Sequence, residues 1–324
     1  MFNYIMKKYA YSKSKLIRVI FSRIRKFCIF IFNDPVCSII IHNKMMKMPL
    51  SHEIVRYLEE FKNYDRLPYR LGRFIKDSGR NICGLDIGAN IGDSIAAFCP
   101  TDIDVFLAIE ANDHFLKFLN YNWKQCENIK ILNVLCSSQD EDNCQYNIEE
   151  SKGTANIQSN SSGIILSTRS IDSIRDEHTS FKNINIIKTD TDGFDFKILE
   201  GAKKTIKECK PIVLFECDIF GNLEYVSDIS NAFQMFKSSG YSHFLLYDNF
   251  GNLMGAHDLS SLTSFYNLMF YQLSSHFHYF DILFMPNDSF TCFYEQELNY
   301  FARKNSNEIL NYNLEKLSKV LKND

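Results

Sequence analysis

Asp190 and Asp192 stand two residues apart at the end of an apolar run, in IIKTDTDGFDF, residues 186–196. If a strand runs through both, they face the same side, because strand side chains alternate. Adjacent carboxylates also raise one pKa, which suits a base working near neutral pH. Such a pair can align an alcohol for in-line attack on an electrophilic carbon and take its proton. Asp190 is the expected proton acceptor, with Asp192 reaching the alcohol through water. Two other roles fit the same residues. Asp190 and Asp192 with Glu216 or Asp218 are an oxygen set for a divalent cation. Asp192 or Asp195 is alternatively a cap for the helix that begins near Phe194. Glu216, ending the run VLFE, either binds substrate or is a solvated strand end.

A second cluster lies in ICGLDIGANIGDSIAAF, residues 82–98. Asp86 ends an apolar run, and Gly88 and Gly92 flank Asn90 before a helical pattern begins. Gly88 permits a tight turn, and Gly92 lets a helix start close to a ligand. A dinucleotide loop would read G-x-G-x-x-G and hold a pyrophosphate. This loop has two glycines and an acid before the turn, which repels pyrophosphate and suits a cationic group. Glu110 ends the next apolar run, where a carboxylate can accept both hydroxyls of a ribose. A ligand with a ribose, an ammonium and no phosphate is S-adenosylmethionine. Asp86, Gly88, Asn90, Gly92, Glu110 and Asn112 are its candidate contacts. His52, in LSHEIV just before a helix, is a further candidate for substrate contact or for a base.

The elements that position these residues alternate. NICGLDIG, DVFLAIEAN, NIKILNVLCS, INIIKTD, KPIVLFECD, SHFLLYDN and FDILFMP read as seven strands, most of them separated by helical patterns. That order predicts an α/β fold, a mostly parallel sheet with helices on both faces. Ligands on such sheets bind at the carboxyl ends of the strands, near the switch point. The polar stretch 143–170 reads as an excursion within one domain. Trp123 reads as packing. Aromatics in SFYNLMFYQ and HFHYFD read as core, with stacking on a sugar as the alternative.

Composition narrows the partners. Net charge is −3, which gives no pull on nucleic acid. The ten cysteines show no CxxC or paired-histidine spacing, so they read as reduced thiols in a cytoplasmic protein. Residues 1–50 hold ten Lys or Arg against one acid, Asp34. Leu16, Ile20, Ile24 and Phe27 recur among them at helical spacing. Residues 1–34 therefore read either as a basic helix contacting the inner membrane face or as a packed helix with a solvated basic side. The apolar run Phe27–Phe32 is too short to span a bilayer, and no signal peptide is expected.

LDIGANIGDS, AIEAN, IIKTDTDGFDFKILEGAKKTI and KPIVLFE together resemble the FkbM family of S-adenosylmethionine-dependent methyltransferases, over about residues 80–220. MPLSHEIVRYLEEFKNYDR looks like a segment that precedes the domain in some bacterial relatives. The resemblance implies the class I methyltransferase sandwich, seven strands with the last antiparallel. It also implies methyl transfer to an oxygen, often a hydroxyl of a sugar or polyketide. The family motif is close to I-K-I-D-V-E-G; here Asp192 stands where glutamate is commoner, one methylene shorter. The expected organisation is a basic extension (1–50), a helical lead-in (51–80), the methyltransferase domain (81–290) and a helical tail (291–324). A non-catalytic protein that keeps the fold as a cofactor sensor is the rival reading. An NAD-dependent oxidoreductase lacks its third loop glycine, and the DNA-methylase-type N/D-P-P-Y/F motif is absent. The acceptor, the need for a metal and the oligomeric state are not set by these residues.

Overall fold

The computed structural model describes residues 1–151, 154–159, 164–219, 221–275, 279–303 and 307–322. Two helices open the chain, α1 (Phe2–Tyr11) and α2 (Lys15–Ile31). The Ser14 hydroxyl accepts from the Ile17 amide and starts α2. A hairpin follows, β1 (Val36–Ile41) and β2 (Lys44–Pro49), then α3 (Ile54–Glu60) and α4 (Leu67–Asp77). Pro68 sits in the first turn of α4, where its missing amide proton costs nothing.

The expected alternation then appears: β3 (Cys83–Ile87), α5 (Asp93–Phe98), β4 (Val105–Ile109), α6 (Asp113–Trp123) and β5 (Ile129–Leu132). After an excursion come β10 (Ile186–Thr189), α8 (Asp195–Glu200), α9 (Lys203–Cys209), β11 (Ile212–Cys217) and α10 (Tyr225–Ser238). The series continues with β12 (His243–Asp248), β13 (Leu253–Asp258), α11 (Thr263–Ser275) and β14 (Phe280–Phe284), then α12 (Asn287–Arg303) and α13 (Glu308–Leu321). The sheet order is β13-β12-β14-β11-β10-β3-β4-β5. The five strands from β11 to β5 are parallel, and β14 runs antiparallel to both of its neighbours. This is the class I methyltransferase order.

Two expectations need correction. The sheet has eight strands, not seven, because β13 folds back on β12 as an extra edge. Its sequence, LMGAHD, lacks an apolar run, and Leu253, Gly255 and Ala256 are only half-buried, as an edge strand permits. NIKILNVLCS is also not one strand. Four residues pair with β4, and Leu135–Cys136 (β6) leaves to pair with β9 (Ile164–Arg169). With β7 (Glu141–Ser151) and β8 (Thr154–Ser159), these make a small sheet of order β6-β9-β7-β8, which occupies the polar excursion. The helix α7 (Ile171–Glu177) returns the chain to the main sheet.

Strand alternation divides the core into two layers. Leu85, Ile87, Leu107, Ile109, Val213 and Phe215 belong to one cluster. Phe106, Ala108, Ile186, Ile212 and Leu214 belong to the other, together with α4 and the β1–β2 hairpin. Residues 1–77 therefore build the cover on one face. That same face carries Asp86 and Lys188, which are register partners on β3 and β10.

Candidate active site

The site forms where β3, β4, β10 and β11 end, at the point where the chain turns back across the sheet. Gly88 has φ +76°, and a Cβ there would overlap the Asp190 carbonyl oxygen. Its lack of a side chain therefore serves the contact with the strand-end turn of β10. Gly92 has φ +85°, and a Cβ would overlap the indole of Trp123. Trp123 Nε1 donates to the Gly92 carbonyl at 3.0 Å. The expected role of Gly92, bringing a helix close to a ligand, is not what the geometry displays: the close neighbour is α6. Trp123 is packing, as expected, and it also ties down the loop.

Asp86 is fully buried, and neither carboxylate oxygen has a hydrogen-bond partner. Lys188 Nζ is 4.0 Å away. Burial pushes the Asp86 carboxyl up to about 6, with Lys188 opposing. Glu110 follows β4 and holds the loop from the other side. Its two oxygens accept from the amides of Asn90 at 2.7 Å and Asn112 at 2.8 Å. Burial pushes this carboxyl up to about 7, against those amide hydrogen bonds. The Asn112 side chain accepts from the His114 and Phe115 amides and so caps α6.

His52 is drawn into this network. Its Nδ1 accepts from the Ile54 amide at 3.2 Å, which leaves the proton on Nε2, and Nε2 meets Asn90 Oδ1 at 3.2 Å. Burial lowers its pKa to about 4. With both ring nitrogens engaged, the arrangement suits orienting Asn90 rather than accepting a substrate proton.

The second cluster departs from the reasoning that located it. β10 ends at Thr189, so no strand runs through Asp190 and Asp192. Asp192 instead takes a left-handed turn, φ 49°, followed by Gly193 at φ 119°. The turn still brings both carboxylates to the same two cavities. Asp190 Oδ2 accepts from Lys188 Nζ at 2.9 Å. Burial disfavours the Lys188 charge, but Asp190 and Asp86 outweigh it and hold the ammonium above its ordinary range. Burial, and then Asp190, push Asp192 up to about 7. Asp195 does not cap α8. Its carboxylate accepts from Thr189 Oγ1 at 2.8 Å and Thr191 Oγ1 at 3.0 Å and ties the turn together.

Glu216 points into the same space, with Oε2 buried and unpartnered. Burial, then Asp190 and Asp192, hold its carboxyl well above the ordinary range. Asp281 is its register partner on β14 and is pushed up to about 8, chiefly by burial. Asp218 lines none of these cavities; its side chain accepts from the Ile219 amide. Among the described residues, no three His, Cys, Asp or Glu side chains are grouped as metal ligands.

The main cavity measures about 390 Å³, within the range of small-molecule sites. Gly88, Asn90, Lys188, Asp190, Asp192 and Glu216 make its floor. Its walls come from distant segments: Tyr57, Phe61 and Tyr64 from the lead-in, Phe250 from the β12–β13 turn, and Tyr279 before β14. Phe61 stacks on Phe250 with ring centroids 4.2 Å apart. Asn249 Oδ1, in the same turn, is buried without a partner. A smaller adjoining cavity runs between Glu110, Ala111, Leu135 and Phe194. Gly92, Asn112 and Asp86 line neither cavity.

Sequence reasoning missed Lys188 as a functional group, although it lies inside the quoted motif. It also missed Asp93, pushed up to about 7 by burial and then by Asp65. Tyr64 and Tyr279 carried no local signal. Of the aromatic stretches, Phe265 of SFYNLMFYQ is core, and His276, Phe277 and His278 of HFHYFD lie outside the described residues.

These residues fit S-adenosylmethionine. Glu110 lines the smaller cavity, Gly88 and Asn90 line both that cavity and the larger one, and an acid-rich floor suits a cation. Residues 86–242 match the Methyltransferase FkbM domain. No curated protein matches the chain. Among solved structures, the chain is similar to Methyltransferase FkbM from Methylobacillus flagellatus KT, at 18% identity over 51% of this chain, with TM-score 0.36. The match spans 40% of that protein's length. It is also similar to a precorrin-6y C5,15-methyltransferase from Geobacter metallireducens GS-15, at 11% identity over 64% of this chain and 81% of that one, TM-score 0.35. A third is M. jannaschii TYW2 in complex with AdoMet, at 12% identity over 78% of this chain and 86% of that one, TM-score 0.35. Among the described residues, no helix is long and apolar enough to cross a membrane. Over residues 86–242 the chain carries an FkbM-family, S-adenosylmethionine-dependent methyltransferase domain.

Proposed function

We propose that this protein methylates a hydroxyl of an uncharged, polyhydroxylated acceptor, a sugar of a glycan or glycolipid precursor. The observation that carries this reading is Asp192. Its carboxyl, raised to about 7, faces the cavity that also holds Gly88 and Asn90 of the cofactor loop. A base so poised is half-ionised at neutral pH, where proton removal is most effective. The cofactor supplies a methyl group on a sulfonium. The chain supplies position and proton transfer. Asp190, tethered by Lys188, is placed to orient a neighbouring hydroxyl, so the assignment of the base moves from Asp190 to Asp192. Glu216, whose carboxyl burial holds well above the ordinary range, can donate a hydrogen bond to an acceptor oxygen when protonated. Tyr57, Phe61, Tyr64 and Tyr279 offer apolar surface to the faces of a sugar ring, and the surrounding carboxyl groups disfavour anionic acceptors.

The test is transfer to a panel of glycosides, read as released S-adenosylhomocysteine between pH 5.5 and 8.5. Transfer should rise through pH 7 as Asp192 ionises, and it should persist in EDTA. Asp192→Asn should lose about 100-fold or more and flatten that rise, with cofactor affinity kept. Full activity in Asp192→Asn removes the base. Loss in EDTA with recovery in Mg²⁺ or Mn²⁺ replaces it with a metal mechanism. Cofactor binding with no transfer to any hydroxyl acceptor would instead favour the sensor reading.

A further inference from the structure

We propose that α1 and α2 form a docking surface for an anionic lipid bilayer. A helix on a globular protein ordinarily turns its apolar stripe inward and its charges outward. α2 does otherwise. Only Arg25 and Cys28 are buried along its 17 residues. On the opposite side, Phe30 is 83% exposed, Leu16 69% and Phe27 63%. Ile20 and Val19 extend the same outward face and are also exposed. Lys15, Arg18, Arg23 and Lys26 are exposed around these apolar residues. The neighbouring helix α1 turns Tyr4, Lys7 and Tyr11 outward. No acidic residue precedes Asp34.

An outward face that is both apolar and uniformly basic matches a surface with hydrocarbon beneath and negative charge above, the interface of an anionic bilayer. A second copy of this chain would bring the same positive charges against each other. α2 lies along such a surface and does not span it. Its inward face explains what the docking holds in place. Arg25 donates to the Leu50 carbonyl at 2.7 Å and to Glu53 Oε1 at 2.7 Å. Tyr9 of α1 donates to Glu53 Oε2 at 2.6 Å. Between those contacts sits His52, the partner of Asn90. The surface helices are thus fastened to the segment that walls the cavity. The docking surface stands independently of which acceptor is methylated.

The test is co-sedimentation of the full chain with vesicles of phosphatidylcholine, alone or with about 30% phosphatidylglycerol. Partition to the anionic vesicles should exceed that to neutral ones by about tenfold or more, and about 0.5 M NaCl should release the protein. Leu16→Ser/Phe27→Ser/Phe30→Ser should lose about tenfold or more in partition while keeping S-adenosylhomocysteine affinity. Lys15→Gln/Arg18→Gln/Lys26→Gln should do the same through charge alone. Equal partition to both vesicle types overturns the proposal, as does parent-like binding by both variants. A dimer in sedimentation equilibrium that the serine variant converts to monomer also overturns it, by showing that a second copy covers this face.

Discussion

Asp86→Asn tests the buried charge behind the cavity floor most directly, because Asp86 faces Lys188 of that floor at 4.0 Å and the substitution keeps shape while removing charge. Asp86 makes no hydrogen bond that the variant would lose. Burial raises its carboxyl from an ordinary 3.8 to about 6. At about 1.4 kcal/mol per pH unit of displacement, ionising it in the folded protein costs about 3 kcal/mol. A buried amide without a partner costs about 1–3 kcal/mol in its place. The variant should therefore be about 0–2 kcal/mol more stable than the parent at pH 8. Native Asp86 holds its proton more tightly than the unfolded chain does. The parent therefore loses stability as pH rises from about 4 to about 6, and the ionisation cost at pH 5 is about half of that at pH 8. Urea unfolding at both pH values measures the gap, which should narrow by about half of the ionisation cost on going from pH 8 to pH 5. Titration calorimetry measures the other side: without Asp86 the Lys188 charge in the floor is less compensated, and S-adenosylmethionine affinity should fall about tenfold. A variant less stable than the parent at pH 8, with unchanged affinity, would refute the view that Asp86 is held strained to offset Lys188 and keep the floor acidic.

Two further outcomes follow from the loop. Gly88→Ala should lose about 2 kcal/mol or more in urea unfolding, from left-handed strain and overlap with the Asp190 carbonyl; parent-like stability would mean that the loop does not press on the β10 turn. His52→Ala should weaken S-adenosylhomocysteine binding about fivefold, one hydrogen bond's worth, and leave the pH profile of transfer unchanged above pH 5, because His52 is neutral there. A displaced pH profile would instead make His52 a base.

The central strands were legible because both faces of a covered parallel sheet must be apolar, so β3, β4, β10 and β11 read as continuous runs. The cofactor loop was legible because Gly88 and Asn90 mark a turn in the left-handed region, and Glu110 lies one strand further on. The edge was not: β13 needs only one buried side, and its Gly255 weakens the strand pattern. Asp190 and Asp192 were found through an argument from strand parity that the fold does not use. A left-handed turn at Asp192 brings both into one cleft, and such a turn has no apolar period to reveal it. Lys188 reads as an interruption of the apolar run, and only the register that sets it beside Asp86 explains why a buried ammonium is tolerated. Tyr279 and Phe250 reach the site from segments about 90 and 60 residues beyond Asp190, a distance over which local pattern carries no information.

The positions of these residues divide the site into two parts with different origins in the chain. Every side chain proposed to meet the cofactor or the migrating proton lies between Asp86 and Glu216, inside the matched domain. The cavity walls lie mostly outside it. His52, Tyr57, Phe61 and Tyr64 precede the domain, and Asn249, Phe250 and Tyr279 follow it. The two flanks meet over the cavity. Phe61 stacks on Phe250, Asn63 donates to Asn252, and the Asn63 carbonyl crowds Gly251. A wall built by such long-range contacts can change shape without disturbing Glu110, whose hydrogen bonds go to the Asn90 and Asn112 amides. The Asn90 side chain is tied to the wall through His52. On the proposed function, acceptor choice falls to the flanks and methyl transfer to the domain. The lead-in that supplies half of the wall is the same segment that Arg25 and Tyr9 fasten to the exposed helices.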